Sequence, residues 1–200
     1  MKKQLLLIFV KNPALGKVKT RLAATIGNEN ALAIYHQLVA HTNHVITPLS
    51  VEKHVYYSEF KGENDLWDQF TKEIQTGQSL GDRLENAFSK GYSLGFEQII
   101  VIGSDCLEIQ THHIEEAFRQ LTTHDVVIGP ANDGGYYLLG TRKYLPELFK
   151  EKSWSTNTLL QETQKTITQL NLTMHLLEPL SDIDDIHDLK KHKEYEQYIP

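Results

Sequence analysis

The chain alternates short, unbroken apolar runs with longer segments whose apolar residues recur at helical spacing. Three such runs, at 5–10, 99–103 and 126–129, are bounded by polar or turn residues, which is typical of strands covered on both faces. Helices are predicted at 29–45, 80–94 and 111–121, the last of them capped by Thr111. Strands that alternate with helices in this way indicate an α/β fold.

The rest of the chain continues the alternation, with one exception. A strand at 135–140 follows the run at 126–129 so closely that no crossover helix fits between them. Further strands are predicted at 55–57 and 174–177, and further helices at 156–170 and 186–195. We therefore predict a three-layer α/β domain with a mixed sheet, whose ligands bind beyond the carboxyl ends of the parallel strands.

Composition narrows the functional classes. With 200 residues, 40% of them hydrophobic and 23% charged, the chain is expected to form one globular domain over 1–200 and not a disordered or coiled-coil protein. The formal net charge of −6 argues against general binding of nucleic acid. Cys106 is the only cysteine, so no internal disulfide forms and we expect a cytoplasmic protein. The run at 5–10 is too short for a signal peptide or a membrane span, and no membrane association is expected.

The first candidate site follows the first predicted strand. Four cationic residues fall within eleven positions there: Lys11, Lys17, Lys19 and Arg21. Pro13 and Gly16 set a turn whose amides can face an anion, so the loop suits a di- or triphosphate. The spacing matches neither the Walker motif nor G-x-G-x-x-G. A solvated basic turn is the alternative.

Carboxylates follow two later strands. Asp105 stands directly beyond the run at 99–103, where a carboxylate is desolvated unless it meets a cation, such as a divalent metal bridging to phosphate. A turn residue that bonds nearby amides is the alternative. Asp182 and Asp184 follow the strand at 174–177, and one of them can complete that metal site. Two neighbouring carboxylates suit a helix N-terminus instead: Asp185 and Asp188.

The segment at 129–140 is predicted to form a strand, an irregular loop and a second strand. Gly134 and Gly135 permit close approach of the backbone to a ligand, and Asp133 can bind a hydroxyl or act as a base. Tyr136 and Tyr137 would point to opposite faces of the sheet. A hairpin with Asp-Gly turn chemistry is the alternative.

Three other features have unremarkable interpretations. Cys106 has no identifiable histidine base and is interpreted as a packing residue. His112 and His113 lack ligand spacing for zinc and are expected at the surface near a helix start. Trp154 is interpreted as an aromatic anchor beside a helix cap, although it could cover a base or sugar.

Five blocks in this order resemble a family of bacterial GT-A-like transferases. The family carries a domain of unknown function, its members are often named nucleotide-diphospho-sugar transferases, and some are linked to arsenosugar biosynthesis. The blocks span almost the whole chain: 11–22, Leu80-Gly81-Asp82-Arg83-Leu84, Gly103-Ser104-Asp105-Cys106, 129–138 and 182–189. The first also resembles the loop of phospholactate guanylyltransferases, and the last a segment of molybdenum cofactor cytidylyltransferases. Leu107 and Asp185 depart from the family, which usually has Pro and Thr there.

The resemblance implies a GT-A-like, Rossmann-related fold that uses a nucleotide-activated donor, Mg²⁺ or Mn²⁺, and a small-molecule acceptor. Nucleotidyl transfer from an NTP is the alternative, and a non-catalytic nucleotide-binding protein is the third. Nucleotide contacts are expected from Lys11, Pro13, Gly16, Lys19, Arg21, Gly81 and Arg83. Metal ligands are expected from Asp105 with Asp184 or Asp182. Asp105 and Asp133 are the catalytic candidates, and Gly134, Gly135 and Tyr136 would line the acceptor side.

Overall fold

The computed structural model of the chain describes residues 3–199, which form one mixed sheet with helices on both faces. The seven strands lie in the order β3-β2-β1-β4-β6-β5-β7. In chain order they are β1 (Gln4–Val10), β2 (Glu52–Tyr57), β3 (Thr71–Ile74), β4 (Gln98–Ile102), β5 (Val126–Pro130), β6 (Tyr136–Thr141) and β7 (Met174–Leu176). Only β6 among these strands runs antiparallel to its neighbours, β4 and β5. This confirms the predicted mixed sheet and the strand predicted to follow β5 without a crossover helix.

The helices complete a three-layer arrangement. They are α1 (Thr20–Ile26), α2 (Asn28–Ile46), α3 (Leu80–Ser93), α4 (Thr111–Gln120), α5 (Leu159–Gln169) and α6 (Ile186–Leu189), with 3₁₀ turns at Pro146–Leu148 and Lys193–Tyr198. Alternate residues of β1 face opposite layers: Leu6 and Ile8 pack with α2 and α4, while Leu5 and Leu7 pack with α3 and α5. A third apolar cluster joins α1, α2 and α6.

Several predicted boundaries differ from the structure. Gln110, not Thr111, is the N-cap residue of α4, and the Thr111 hydroxyl instead donates to the Val45 carbonyl oxygen at 2.8 Å. The helix predicted from 156 begins at Leu159, after Ser155 adopts a left-handed φ of 63°. The helix predicted at 186–195 ends at Leu189, and 3₁₀ geometry follows from Lys193.

Two elements, α1 and β3, were not predicted from the sequence. The strand β3 is an edge strand of sequence Thr-Lys-Glu-Ile, without a buried residue, and so shows no apolar run. No helix in residues 3–199 is long and apolar enough to cross a membrane.

Candidate functional site

A cleft of about 590 Å³ opens at the carboxyl ends of β1 and β4, beside the amino end of the antiparallel β6. Most of the predicted site residues line it: Lys11, Lys19, Arg21, Arg83, Asp105, Asp133, Gly135, Tyr136, Asp182 and Asp184. Because β1 and β4 are paired and parallel, the loops that leave them lie side by side. The structure therefore brings the basic loop and the acidic residues to one place.

Lys19 lies where the basic loop contacts the acidic residues of the cleft. Its Nζ is 3.0 Å from Asp105 Oδ2 and 3.1 Å from Asp184 Oδ1, and its side chain is only 4% exposed. Burial lowers the pKa of Lys19, but the two carboxylates together outweigh burial, so the pKa is raised above its ordinary value. The ammonium is therefore charged at neutral pH. Arg21 lies further out, with Nη1 3.8 Å from Asp184 Oδ2.

The backbone at Lys19 is strained. Its φ of 47° and ψ of 44° are left-handed, a conformation that costs a residue with a Cβ roughly 1–2 kcal/mol. The Lys19 carbonyl oxygen accepts the Ala23 N–H at 2.8 Å and so begins α1. Packing and ion pairing maintain this strained turn, which carries the chain from the basic loop into the helix.

Asp182 lies on the same lining, half-buried. Burial and, to a lesser degree, the charge of Asp105 raise its pKa to about 7, against the opposing charge of Lys19. Asp105, Asp182 and Asp184 all line the cleft, so their carboxylates could hold a divalent cation there.

Two residues that the sequence analysis did not assign to the site position the basic loop. The buried Tyr35 hydroxyl oxygen accepts the Lys11 N–H at 2.8 Å and lies 2.9 Å from the Lys11 carbonyl oxygen and 3.4 Å from Ser104 Oγ. Asn12 is also buried, and its side-chain oxygen accepts the N–H of Glu59 at 2.9 Å. The loops after β1, β2 and β4 are therefore tied together beneath the cleft.

Replacing Tyr35 with phenylalanine is expected to lower the free energy of unfolding by about 1–3 kcal/mol, because the Lys11 peptide groups lose a buried partner. Urea unfolding followed by circular dichroism measures this loss. Tyr198→Phe removes a hydroxyl that accepts from Gln37 in an exposed contact, and we expect it to change stability by less than about 0.5 kcal/mol. Equal midpoints for Tyr35→Phe and the wild-type protein would contradict the positioning role.

Four of the predicted site residues do not line the cleft. Pro13 and Gly16 are exposed in the basic loop, and Gly16 has a φ of 72° that suits its turn. Gly81 is a packing position, since a Cβ there would lie 2.4 Å from Trp154 Nε1. Gly134 has a φ of 91°, and a Cβ there would lie 2.2 Å from the Asn157 carbonyl oxygen.

The loop between β5 and β6 forms one side of the cleft. Asp133 is exposed, and its Oδ1 accepts the Gly135 N–H at 2.8 Å. Tyr136 and Tyr137 pack in opposite layers, as predicted. Trp154 stands edge-on to Tyr136, with ring centroids 6.3 Å apart, and its Nε1 donates to the Phe149 carbonyl oxygen at 3.3 Å. Trp154 lines the cleft and also anchors its own loop.

Cys106 and the capping carboxylates behave as predicted. Cys106 is buried, burial raises the pKa of its thiol, and Sγ lies 3.6 Å from the Ser181 carbonyl oxygen. This is the environment of a packing residue and not of a nucleophile. Asp185 and Asp188 form the capping box of α6.

The prediction that His113 lies at the surface is wrong. His113 is buried, and its Nδ1 accepts the Gln110 N–H at 2.9 Å while its Nε2 lies 2.6 Å from Glu178 Oε1. His112, His113 and Glu178 are close enough together to surround a cation. A neutral ring that accepts at Nδ1 carries its proton on Nε2, so His113 has no free nitrogen for a metal. We interpret the group as a hydrogen-bonded cap of α4.

Comparison with known proteins places the chain in a family. The family model described as "Uncharacterized protein conserved in bacteria (DUF2064)" matches residues 40–156, more than half of the sequence. This chain belongs to that family. The resemblance to bacterial transferases that carry a domain of unknown function is thereby confirmed, although the DUF2064 match includes neither the basic loop nor Asp182 and Asp184.

Solved structures agree with this DUF2064 assignment. A protein from Desulfovibrio desulfuricans G20, described as a "putative nucleotide-diphospho-sugar transferase", is 30% identical, with a TM-score of 0.89 over 98% of this chain and 89% of that one. The inositol-1-phosphate CTP transferase of T. maritima is 13% identical, with a TM-score of 0.59 over 99% of this chain and 95% of that one. This second likeness concerns the fold alone. The predicted GT-A-like α/β fold is confirmed.

A curated relative of this DUF2064 chain is the 2-phospho-L-lactate guanylyltransferase of Methanocaldococcus sp. (strain FS406-22). It is 27% identical over 155 residues, which cover 76% of this chain. The chain spans 65% of the length of that relative.

Proposed function

We propose that this chain transfers a glycosyl group from a nucleoside-diphosphate sugar to a small-molecule acceptor. The observation that carries the proposal is the Lys19 ammonium held between Asp105 and Asp184 inside the cleft, with Lys11 and Arg21 on the same lining. Cations and carboxylates that converge at the carboxyl edge of an α/β sheet suit a diphosphate and its divalent cation. The name of the 30% identical D. desulfuricans protein supports a sugar donor.

The basic loop would bind the donor's phosphates. Lys11, Lys19 and Arg21 are the cations of this loop that line the cleft, and charge-assisted hydrogen bonds from lysine and arginine are strong contacts for phosphate oxygens. Arg83 also lines the cleft, and its Nε donates to the Gly77 carbonyl oxygen at 3.3 Å. This bond would hold the guanidinium toward the nucleotide. In this proposal Pro13, Gly16 and Gly81 shape the loop and helix that carry these cations.

The donor set fits Mg²⁺ or Mn²⁺. Oxygens of Asp105 and Asp184 already face one cation, the Lys19 ammonium, and Asp182 lies on the same lining. Carboxylate oxygens are ligands that these hard cations prefer. When bound, the cation would stabilise negative charge on the departing nucleoside diphosphate.

The acceptor would bind on the side formed by the loop between β5 and β6. Gly135 lines the cleft there without a side chain, Gly134 lets the loop pack against Asn157, and Tyr136 offers an aromatic wall. Asp133 is exposed on the lining, where its carboxylate would accept the proton of the acceptor hydroxyl as a general base.

Thermal unfolding with a panel of ligands tests the proposal. UDP- or GDP-sugars with Mn²⁺ at 100 times their dissociation constant should stabilise the protein by about 2.7 kcal/mol, which is roughly 5–10 °C in Tm for a chain of this length. Asp105→Asn should remove most of that shift. If no nucleotide raises the Tm, the proposal is wrong. Protection that persists in Asp105→Asn, without turnover of any donor, would instead indicate a non-catalytic nucleotide-binding protein.

Nucleotidyl transfer is the second candidate, and the likeness to 2-phospho-L-lactate guanylyltransferase favours it. The same cations would then stabilise a departing pyrophosphate as an NTP is joined to a small phosphorylated metabolite. Pyrophosphate release from an NTP with Mg²⁺, dependent on such an acceptor, distinguishes the two. Glycosyl transfer releases a nucleoside diphosphate and no pyrophosphate.

A further inference from the structure

Two of the carboxylates proposed to hold a divalent cation, Asp105 and Asp184, are already paired with a cation of the chain itself, the Lys19 ammonium. We infer that the Lys19 ammonium and a divalent cation compete for Asp105 and Asp184, so that the metal can bind only after the ammonium has left. This inference rests on the proposed function for the identity of the metal and of the phosphates. It makes Lys19 an internal counter-ion that weakens metal binding in the absence of donor.

The contacts of Lys19 support competition over sharing. Its Nζ lies 3.0 Å from Asp105 Oδ2 and 3.1 Å from Asp184 Oδ1, and the side chain is nearly buried. A divalent cation bound to the same oxygens would lie a few ångströms from the ammonium. Two positive charges at that distance repel strongly where water screens them poorly.

The side chain of Lys19 can leave while the backbone stays in place. The Lys19 carbonyl oxygen is fixed by the Ala23 N–H, but the side chain is a flexible four-carbon stem with a compact charge. Arg21 already lies 3.8 Å from Asp184 and can remain beside it. The released ammonium would gain the donor's phosphates as a new partner, which couples metal binding to donor binding.

Titration with Mn²⁺ in the absence of nucleotide tests the competition, with free Mn²⁺ measured by electron paramagnetic resonance. Lys19→Gln should bind Mn²⁺ about tenfold more tightly than the wild-type protein, or tighter still, because a charge-assisted pair no longer has to be broken. Lys17→Gln is the matched control, since Lys17 is exposed in the same loop and does not line the cleft. It should stay within about twofold of wild type. Equal or weaker Mn²⁺ binding by Lys19→Gln, or no binding by either protein, overturns the inference.

Acetylation of the wild-type protein gives a second measurement that needs no variant at Lys19. Acetic anhydride labelling, quantified by mass spectrometry, should modify the buried and paired Lys19 slowly and the exposed Lys17 quickly. Saturating Mn²⁺ should increase labelling of Lys19 severalfold while leaving Lys17 unchanged. Labelling of Lys19 that does not rise at any Mn²⁺ concentration overturns the inference, even if Lys19→Gln fails to fold.

These measurements separate the inference from the proposed function. If Lys19→Gln tightens Mn²⁺ binding but no nucleotide protects the wild-type protein, the competition stands and the transferase proposal fails. In the opposite case, nucleotide-sugars with metal protect the protein and turn over, but Lys19→Gln does not change Mn²⁺ affinity and Mn²⁺ does not change Lys19 labelling. The transferase proposal then stands and the competition fails.

Discussion

Reversing the charge of Lys19, with Lys19→Glu, is expected to abolish nucleotide binding and to lower the free energy of unfolding by about 3 kcal/mol, because removal of one partner leaves buried charge uncompensated. The new carboxylate would stand among Asp105, Asp182 and Asp184, which line the same cleft. The stability loss falls at the low end of the range for buried pairs, since Asp105 and Asp184 remain 36% and 46% exposed and so keep part of their hydration.

Urea unfolding at pH 7 and calorimetric titration with a nucleotide measure the two effects. Lys17→Glu makes the same change of net charge at an exposed position of the same loop and should change stability by less than about 0.5 kcal/mol. A Lys19→Glu protein that unfolds at the wild-type urea concentration and binds nucleotide normally would show that Lys19 has neither role.

The layout of the site follows from features that are visible in the sequence. Lys19 and Asp105 lie in the segments that leave two apolar runs, and the carboxyl ends of paired parallel strands lie at the same edge of a sheet. What the sequence could not decide is which acidic residue of 182–184 faces the lysine. Asp182 and Asp184 are separated in the chain by Ile183 alone. The Ile183 N–H donates to the Asp105 carbonyl oxygen at 3.1 Å, and the turn that presents Asp184 to Lys19 depends on this bond.

The roles of the residues that position the site are not visible in the sequence. Tyr35 occupies an inner position of the helical pattern, where an aromatic residue is expected for packing alone, and its hydroxyl contact with Lys11 spans 24 residues. Gly81 and Gly134 belong to blocks that resemble binding motifs, yet neighbouring groups would clash with a side chain at either place. Motif resemblance does not separate a glycine that touches ligand from one that lets two segments of the protein pack closely.

A second large effect on stability is expected far from the cleft, at the amino end of β5 and so at the opposite end of the parallel strands. Asp125 directly precedes β5, and its Oδ1 accepts from Arg142 Nε and Nη2 at 3.1 and 2.9 Å. Its Oδ2 accepts the N–H and the hydroxyl of Thr173, both at 2.9 Å. Arg142 follows β6 and Thr173 precedes β7, so one nearly buried carboxylate joins three neighbouring strands.

Replacing Asp125 with alanine should therefore lower the free energy of unfolding by about 3–4 kcal/mol, because the Arg142 charge and the Thr173 N–H lose their partner. Nucleotide binding by the folded fraction should not change, since Asp125 does not line the cleft. Glu115→Gln, a charge loss at an exposed position of α4, is the control and should change stability by less than about 0.5 kcal/mol.

The effect of Asp125→Ala should also depend on pH in a definite direction. Burial raises the pKa of Asp125, but the bonds from Thr173 and Arg142 outweigh burial and hold the pKa below its ordinary value. A carboxyl whose pKa is lower in the folded state stabilises the protein above the pKa of the unfolded chain, about 3.9, and loses that contribution as the pH falls further. The stability difference between the wild-type protein and Asp125→Ala should thus be constant from about pH 7 to 5 and shrink below about pH 4. Urea midpoints measured across this range test it, and a difference that grows on acidification would show that the carboxylate is not held by these partners.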